Sequence, residues 1–550
     1  MIAIKVHRSV WHPLTLVALM AVWLATFGNW PFWQALWRLP ELQGAAWPST
    51  LALGALLLSV NFVFLGLSLL GPWRKLLGVV FLAASATTTY FMLAYRVVID
   101  PTMIANALHT DAREVRDLLS IDMLWPALWG FVLPGVWWWR QDVRPLSWRR
   151  AAWQRLLFVA IAIVLTVIAG RLAFQDLAST MRNHKSLRYM INPYNTVYAL
   201  AQLGVGRAAD VSKPLVSVGE DARYTGAVGL AAEDAPLLLV VVGETLRAAN
   251  VGLAGYARDT SPQLSPLKAS GELVYFDKVS ACGTNTQVSL PCMFSPLGRE
   301  DDRDAQNLEN LLDVLQRAGL AVTWLDNQSG CKGICERIPH LDTGGLSDPA
   351  LCSQGECFDE ILLAQLPGQL QKLEPSRRAR GTVAVLHMMG SHGPAYFKRV
   401  PQARKHFLPE CTNQALQNCE LSTIVNAYDN TARYTDHVLA SLIQWLKQQA
   451  RPSALLFVSD HGESLGENGL FLHGMPYAIA PLEQTHVPMV MWLSPAWQSR
   501  AGLKTDCLAK KAGQPYSHDN LFHTVLGLAQ VQTKARNKNL DITEGCRPGT

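Results

Sequence analysis

Five apolar runs, with few strongly polar interruptions, occupy the first third of the chain. They cover roughly residues 13–33, 51–70, 76–99, 123–139 and 156–174. Each is close to the length that a helix needs to cross the ~30 Å hydrocarbon core of a membrane. The pattern therefore predicts an N-terminal transmembrane domain of five helices over residues 1–174. We expect the first run to be retained as an anchor, because no small-residue cleavage site closes it.

Basic residues fall on alternate sides of these runs. They precede the first run and lie between the second and third and between the fourth and fifth: Lys5, Arg8, Arg74, Lys75, Arg140, Arg144, Arg149 and Arg150. The positive-inside rule places these segments in the cytoplasm. An odd number of crossings then exports everything after about residue 175. We expect surface helices and a linker over 175–222, followed by an exported domain over 223–550.

The exported half has a different pattern, in which short apolar runs each end in a polar cluster. The runs are PLLLVVVGET (236–245), LAVTWLDNQSG (320–330), TVAVLHMMGSHG (382–393) and ALLFVSDHGES (454–464). Runs that do not alternate are typical of strands buried on both faces, and the stretches 304–318 and 424–449 have helical periodicity. The pattern predicts an α/β domain with a mostly parallel central sheet. Its polar clusters would meet at the carboxyl ends of the strands.

Composition and charge agree with this division. The 49% hydrophobic content and the 18 Trp residues are high for a soluble protein, so part of the chain is expected in lipid. The net charge of +5 comes largely from arginines beside the apolar runs. No nucleic-acid-binding motif is present, and we expect no nucleic-acid partner.

All 10 cysteines lie in the exported half. An even number confined to one side is typical of disulfides in an oxidising compartment. A zinc site built on CKGIC (331–335) and CSQGEC (352–357) is the alternative, but no further pair follows at finger-like spacing. Joining sequence neighbours pairs Cys282 with Cys292, Cys331 with Cys335, Cys352 with Cys357 and Cys411 with Cys419, and leaves Cys507 for Cys546.

The polar clusters contain residue types that bind metals. They are Glu244, Asp460 and His461, with His387, His392 and His473 nearby in sequence. Any one of them could instead cap a helix or form a hydrogen bond in a core, but an Asp-His-Gly sequence at a strand end is harder to explain in that way. Converging buried carboxylates repel one another unless a cation joins them. Two carboxylates and an imidazole favour Zn²⁺ or, less specifically, Mn²⁺.

Four longer motifs resemble the membrane-bound phosphoethanolamine transferases that modify lipid A, the EptA family, which includes the mobile colistin-resistance enzymes. They are VVGETLRAANVGLAGYARDTSP (241–262), CGTNTQVSLPCMFS (282–295), MMGSHGPAYFKR (388–399) and SDHGESLGENGLFLHGMP (459–476). The resemblance covers essentially the whole chain. It implies a bacterial inner-membrane protein with an alkaline-phosphatase/sulfatase-like catalytic domain in the periplasm.

The resemblance also assigns a nucleophile and a metal site. The second threonine of the family's CGTxT motif is Thr286 here, and its role as nucleophile is implied by that match. Glu244, Asp460 and His461 would complete a zinc site with it. We interpret the neighbouring hydroxyls of Thr284 and Ser289 as loop-stabilising.

Further residues match substrate-contacting positions of the family. They are Asn106, Thr110 and Glu114, Lys332, and His392 and His473. The resemblance implies that the first three contact the ethanolamine head group, that the lysine faces the substrate, and that the histidines bind the phosphoryl group or a second metal. The four-residue spacing of the first three would place them on one face of a helix, although a solvated amphipathic helix explains it equally well. Gln328 departs from the family pattern, since relatives can carry Asn there.

The implied reaction is a double displacement. Thr286 takes phosphoethanolamine from phosphatidylethanolamine and passes it to a phosphate of lipid A, and the added cations weaken the attraction of peptides such as polymyxins. Another envelope acceptor, such as a core sugar, stays open, and a monomer is expected. The CGTxT and GPAYFKR patterns argue against a phosphoglycerol transferase. A sulfatase activity is not supported, because the C/S-x-P-x-R motif is missing. A transporter is not supported either, because the apolar runs carry almost no charged residues.

The charge rule gives a topology that reporter fusions can test. Fusions after Pro40, Thr110 and Leu200 should report a location outside the cytoplasm, and fusions after Arg74 and Leu146 should report a cytoplasmic one. Paired alkaline phosphatase and fluorescent-protein reporters measure both states. A cytoplasmic signal at Leu200 would contradict the exported domain and the disulfide assignment together.

Overall fold

The computed structural model describes residues 10–39, 47–69, 73–108, 112–172, 185–210, 214–299, 307–353 and 356–547. The chain divides into two compact units. One comprises residues 1–104 and 119–202, and the other comprises residues 105–118 and 203–550. The segment 105–118 lies between apolar runs in sequence, yet it groups with the C-terminal unit.

Apolar helices dominate the N-terminal unit. In the part of the chain that the structure describes, four helical stretches are long and apolar enough to cross a membrane: Pro13–Trp37, Thr50–Ser68, Arg74–Ala94 and Trp148–Ile168. They correspond to the first, second, third and fifth predicted runs. Asn61, a polar residue inside the second, donates its side-chain amide to the carbonyl of Leu57 at 2.8 Å, so its N–H is satisfied within the helix.

The fourth predicted run, 123–139, is also helical but in consecutive pieces. The pieces are Ile121–Met123 (3₁₀), Leu124–Pro126 (α), Ala127–Val132 (π) and Leu133–Arg140 (α). Pro134 has no N–H, and its ring crowds the carbonyl four residues back. Just before it, the N–H of Leu133 bonds the carbonyl of Leu128, five residues earlier, so the turn widens there. This segment is not among the four long apolar stretches, and the predicted count of five is approximate.

The helices of this half have the following bounds, and one short strand pair accompanies them. Helices or 3₁₀ turns cover Pro13–Thr26, Phe27–Asn29, Trp30–Trp37, Trp47–Ser68, Pro101–Leu108, Trp148–Leu172, Lys185–Met190 and Tyr194–Asp210. Val10–Trp11 pairs in parallel with Asp142–Val143.

An eight-stranded sheet forms the centre of the C-terminal unit. Its strands are β1 (Leu237–Gly243), β2 (Leu273–Ser280), β3 (Ala321–Asp326), β4 (His340–Asp342), β5 (Thr382–His387), β6 (Ser453–Ser459), β7 (His486–Leu493) and β8 (Pro515–Ser517). The spatial order is β8-β2-β7-β6-β1-β5-β3-β4. Only β7 runs antiparallel to its neighbours, so the sheet is mostly parallel, as the sequence predicts.

The core lies on both faces of this sheet. In β1, Leu238, Val240 and Val242 face one apolar cluster, and the alternate residues face a second. Helices Leu311–Arg317 and Asp519–Leu528 contribute to the first cluster, whereas helices Glu360–Gln371 and Leu421–Lys447 contribute to the second. Burial on both faces explains why the strand sequences show no alternation.

Shorter elements surround the sheet. The other helices are Ala112–Leu118, Leu264–Ala269, Thr286–Met293, Pro375–Arg378, Leu482–Thr485, Pro495–Ala501 and Thr505–Lys511, with 3₁₀ turns at Ala248–Asn250, Gly252–Ala254, Thr343–Gly345, Tyr396–Lys398, Gln402–Arg404, Leu416–Asn418, Glu467–Gly469, Tyr477–Ile479 and Lys538–Leu540. Two-residue antiparallel pairs join Arg223–Tyr224 to Val531–Gln532, Cys352–Ser353 to Glu356–Cys357, and Ser464–Leu465 to Phe471–Leu472.

The five predicted disulfides are all present. They join Cys282 to Cys292, Cys331 to Cys335, Cys352 to Cys357, Cys411 to Cys419 and Cys507 to Cys546. The pairing of sequence neighbours is confirmed, and no cysteine is left for the alternative zinc site.

Candidate active site

Two neighbouring parallel strands carry the central acidic groups of the candidate site. Glu244 follows β1, and Asp460 follows β6. The register pairs Gly243 with Ser459, so both strands end at the same level. Because parallel strands present their carboxyl ends at one edge, the two carboxylates leave the sheet side by side.

The two carboxylates and the following histidine form a compact cluster. The ligand atoms of Glu244, Asp460 and His461 lie within 4.8 Å of one another, and all three residues are fully buried. The Nε2 atom of His461 is 3.3 Å from Glu244 Oε1 and 3.4 Å from Asp460 Oδ2. Its Nδ1 lies 3.0 Å from the carbonyl oxygen of Gly462. Although burial lowers it, the charges of Asp460 and Glu244 raise the pKa of His461 to about 10. The imidazolium therefore donates Nδ1–H to that carbonyl and Nε2–H toward the carboxylates, and a bound cation would take the place of the Nε2 proton.

Asp460 is the observation that best indicates a cation. Its Oδ1 accepts the N–H groups of Thr245 and His461 at 3.1 and 2.7 Å. Its buried Oδ2 accepts no hydrogen bond from any residue that the structure describes. Burial raises the pKa of Asp460, and the charge of Glu244 raises it further. A divalent cation would offset both effects, because it can bind two carboxylates and an imidazole at once.

Thr286 joins this cluster. Its Oγ1 donates a hydrogen bond to Glu244 Oε2 at 3.0 Å and lies 3.4 Å from His461 Nε2. Although burial alone would raise the pKa of Glu244, the hydrogen bond and charge of His461 hold it well below the ordinary value. Glu244 is therefore an anion that can accept the hydroxyl proton of Thr286. The structure thus brings together all four residues of the predicted metal site.

The local fold determines where the Thr286 hydroxyl lies. Thr286 is the first residue of helix Thr286–Met293, and the side chain of Asn285 caps this helix by accepting the N–H of Val288 at 3.1 Å. The hydroxyl is therefore near the positive end of the helix dipole, which favours developing negative charge. The Cys282–Cys292 disulfide joins the approach to the helix with its last turn.

The neighbouring hydroxyls bond backbone groups, one of a distant loop and one of the same loop. Thr284 Oγ1 donates to the carbonyl of Met475 at 2.6 Å, and Ser289 Oγ accepts the N–H of Gly283 at 3.2 Å. Neither contact involves the carboxylate cluster. These bonds hold the turn between Cys282 and the helix.

A buried histidine that the sequence did not indicate connects this loop to the sheet. The Nδ1 of His518 accepts the N–H of Cys282 at 3.0 Å, and its Nε2 lies 2.9 Å from the carbonyl of Ser459. Burial lowers the pKa of His518 to about 4. The neutral imidazole with its proton on Nε2 satisfies both contacts. No local motif marks this residue, since its role depends on β2 and β6 lying close together.

Two further predicted histidines lie beside the cluster. The ring of His473 is 4.4 Å from that of His461 and 5.9 Å from that of His392. Glu463 holds His473, since its Oε2 lies 2.9 Å from His473 Nδ1 while its Oε1 accepts the hydroxyl of Tyr396 at 2.8 Å. The prediction omitted Glu463, although it lies two residues after His461 in the DHGES motif.

The remaining candidates near the strand ends have other partners. Lys332 donates its amine to the carbonyl and hydroxyl of Ser329 at 3.1 and 2.8 Å. Gln328 is buried in the same loop, and its side-chain oxygen accepts the hydroxyl of Ser329. His387 pairs with Asp326 at 3.0 Å in the core and does not belong to the metal-ligand cluster.

The predicted head-group residues are only partly described. Asn106 lies on helix Pro101–Leu108, and Glu114 lies on helix Ala112–Leu118. Thr110 and the side chain of Glu114 lie outside the described residues. Their arrangement on one helical face therefore stays a prediction.

Comparisons with known proteins show which family the chain resembles. Residues 236–531 match the model of the sulfatase family, and residues 56–207 match the model described as phosphoethanolamine transferase EptA/EptB. The chain is 40% identical over 481 residues to phosphoethanolamine transferase EptA of Salmonella typhimurium, with 86% of each chain covered. This chain belongs to the EptA/EptB phosphoethanolamine transferase family.

Other members of the family are also similar. Phosphatidylethanolamine transferase Mcr-1 of Escherichia coli is 35% identical, with 88% of this chain and 91% of that protein covered. The solved structure of the integral membrane protein lipooligosaccharide phosphoethanolamine transferase A (EptA) from Neisseria meningitidis is 36% identical. The alignment of the two structures covers 97% of this chain and 98% of that chain, and its TM-score is 0.91. The predicted family and the sulfatase-like fold of the C-terminal domain are confirmed.

The disulfide ring around Thr286 gives a prediction that separates position from stability. Replacing Cys282 and Cys292 with Ser should lower transfer activity by about 10²-fold, because a displacement of about 1 Å can cost that much in rate. The matched control replaces Cys507 and Cys546 with Ser. These pairs are 10 and 39 residues apart, so loop entropy predicts losses of roughly 3 and roughly 4 kcal/mol of stability.

The control should therefore lose more stability and less activity. Thermal unfolding followed by circular dichroism gives the first quantity, and turnover below the unfolding transition gives the second. Activity that falls in parallel with stability in both variants would show that the ring serves folding alone.

Proposed function

We propose that this protein transfers phosphoethanolamine from phosphatidylethanolamine to a phosphate of lipid A through a covalent intermediate on Thr286. The observation that carries the proposal is the 3.0 Å hydrogen bond from Thr286 Oγ1 to Glu244, inside a buried cluster that also contains Asp460 and His461. Family membership supports the reaction class. An isolated threonine hydroxyl is a weak nucleophile at neutral pH, so its placement is the central chemical feature.

The first half-reaction loads the enzyme. Thr286 Oγ1 attacks the phosphorus of phosphatidylethanolamine, and Glu244 accepts the hydroxyl proton over the existing hydrogen bond. The bond from phosphorus to the glycerol oxygen breaks, and that oxygen takes up the proton that Glu244 had accepted, so diacylglycerol leaves neutral. In the second half-reaction an oxygen of the acceptor phosphate attacks the same phosphorus, the bond from phosphorus to Thr286 Oγ1 breaks, and Oγ1 takes up a proton as the threonine hydroxyl is regenerated.

The donor set fits a zinc ion. Glu244, Asp460, His461 and Thr286 would hold it, since two carboxylates, an imidazole and a hydroxyl suit its preferred four ligands. Bound there, Zn²⁺ would lower the pKa of the threonine hydroxyl and offset charge on the transferred oxygens. Mn²⁺ accepts similar ligands less specifically, and metal analysis distinguishes the two.

Residues around the cluster would bind the rest of the donor. We assign His392 and His473 to the phosphoryl oxygens, because their rings lie 5.9 Å apart beside the cluster. Glu463 would keep His473 oriented through its Nδ1 contact. We assign Lys332 to the substrate side and Asn106, Thr110 and Glu114 to the ethanolamine head group, following the family match.

The membrane helices suit the two lipid substrates. We propose a monomeric protein of the bacterial inner membrane whose domain over 223–550 faces the periplasm, where both lipids can be reached. Added ethanolamine groups reduce the negative charge of lipid A and so weaken its attraction for polymyxins. Mass spectrometry of lipid A from cells with and without the protein distinguishes a lipid A phosphate from a core sugar as acceptor.

Metal analysis tests the zinc site. The purified protein should contain about one zinc per chain, and Asp460→Ala combined with His461→Ala should remove it. The matched control is Asp436→Asn, which alters another buried carboxylate whose partners are the N–H groups of Gln263 and Leu264. Mass spectrometry should show that the control keeps its zinc. An unchanged zinc content in the Asp460→Ala, His461→Ala double variant would contradict this site.

The nucleophile can be distinguished from its neighbour two residues away. Incubation with phosphatidylethanolamine and no acceptor should leave phosphoethanolamine on Thr286, detected by peptide mass spectrometry. Thr286→Ala should abolish both the adduct and transfer, because Thr286 supplies the hydroxyl that contacts both Glu244 Oε2 and His461, whereas the hydroxyl of Thr245 bonds Glu244 Oε1. Thr286→Ser should keep reduced turnover, since it retains the oxygen but loses a methyl that restricts the rotamer.

Thr284→Ala is the matched control. The hydroxyl of Thr284 bonds the carbonyl of Met475 and not the carboxylate cluster, so the variant should keep the adduct with a modest loss from a looser loop. An adduct on Thr284, or full activity in Thr286→Ala, would overturn the assignment.

A further inference from the structure

The short helix Ala112–Leu118 buries a charged residue. Of its described side chains, Val115 and Arg116 are exposed, and Leu118 is half-buried. Asp117, in contrast, is only 1% exposed. A helix that rests on another surface normally buries apolar side chains. Among the side chains of this helix that the structure describes, the most buried is a carboxylate, so its contacts here are charged rather than apolar.

The partners of Asp117 all come from one loop region of the C-terminal unit. Arg399 Nη2 donates to Asp117 Oδ2 at 2.6 Å. Lys398 forms an ion pair with Oδ1, and Gln414 Nε2 donates to the same oxygen at 3.3 Å. The carboxylate is therefore compensated by two cations and an amide that lie almost 300 positions away in sequence.

Arg399 connects this carboxylate to the candidate active site. Its side chain is 3% exposed and uses each of its three nitrogens. Besides Asp117, its Nη1 donates to Glu356 Oε2 at 2.8 Å, and its Nε donates to the carbonyl of His392 at 3.0 Å. His392 is one of the proposed phosphoryl-binding residues. One guanidinium thus binds both the 105–118 segment and the loop that carries His392.

The same loop is fixed at a second point. Arg399 directly follows the turn Tyr396–Lys398, and Tyr396 donates its hydroxyl to Glu463, which also holds His473. A displacement of this turn would therefore act on both histidines. The buried ion pair is consequently coupled through short, direct contacts to the groups around the transferred phosphoryl.

We propose that Asp117 and Arg399 form a buried charge latch and act as positioning residues for the donor lipid. The latch keeps helix Ala112–Leu118, whose sequence includes the proposed head-group residue Glu114, at a fixed distance from His392. This inference rests on the proposed function. Removing one partner of a buried pair leaves an uncompensated charge, so the docked segment should give way to a displaced one rather than relax slightly.

The latch predicts a specific kinetic signature. Asp117→Asn removes the charge but leaves the contact between Arg399 and His392 intact. If the docked fraction falls to about a tenth, the KM for phosphatidylethanolamine should rise about tenfold, while kcat at saturation should stay within about threefold. Arg399→Gln loses the His392 contact as well and should lower kcat in addition. Asp117→Glu restores the charge and should recover most of the donor affinity.

The experiment uses the full-length protein in detergent micelles. Steady-state transfer with acceptor present gives kcat and the KM for phosphatidylethanolamine, and adduct formation on Thr286 without acceptor is followed by mass spectrometry. In parallel, amide hydrogen exchange of residues 112–118 is measured, and it should be faster in Asp117→Asn than in the wild type. The matched control is Asp313→Asn, since Arg337 binds Asp313 through two hydrogen bonds of 2.8 and 2.6 Å elsewhere in the same unit.

The outcomes separate the latch from a general effect and from the proposed function. The latch is supported if Asp117→Asn shows a raised KM and faster exchange while Asp313→Asn keeps the wild-type KM. An unchanged KM and unchanged exchange in Asp117→Asn overturns it, as do equal effects in the two variants. If the wild type forms no adduct, the proposed function fails, and the exchange measurement alone then decides whether Asp117 holds the segment.

Discussion

The burial of two carboxylates beside one imidazole is the constraint on which the catalytic unit depends. Glu244 and Asp460 lie at the ends of adjacent parallel strands whose register brings them to the same level. In a dry environment their repulsion is costly unless a cation intervenes. The unbonded Oδ2 of Asp460 and the Nε2 of His461 both point to such a cation. Thr286 can take part in this site only if its hydroxyl reaches the cluster of Glu244, Asp460 and His461.

Much of the surrounding structure serves to hold that hydroxyl. The helix cap at Asn285, the disulfide between Cys282 and Cys292, and the bridge through His518 fix the loop from three directions. His518 can bridge an N–H and a carbonyl because burial keeps it neutral. Each contact is modest in energy, but together they limit the positions that Thr286 can adopt, and rate depends steeply on such positions.

The same logic extends to the 105–118 segment. This segment belongs to the N-terminal half of the chain in sequence but groups with the C-terminal unit in space. Apolar contacts would tolerate sliding, whereas a buried ion pair has one good geometry and a large penalty when one partner is missing. Asp117 and Arg399 therefore suit a place where two parts of one unit that are distant in sequence need a defined register.

By itself the sequence determined the features that arise from local pattern. Unalternating apolar runs predicted strands buried on both faces, the cysteine spacing predicted the five pairs, and the motifs around Thr286 and Asp460 predicted the cluster. These succeed because strand periodicity, short disulfide loops and strand-end chemistry are written within a few residues.

Only the tertiary structure decided the contacts between distant positions. It brought Cys282 to His518, oriented His473 through Glu463, and joined Asp117 to Arg399. It also left His387 paired with Asp326. None of these pairings can be read from the sequence alone, because each depends on which strands and loops become neighbours once the sheet has assembled, and that choice is a property of the whole packed core.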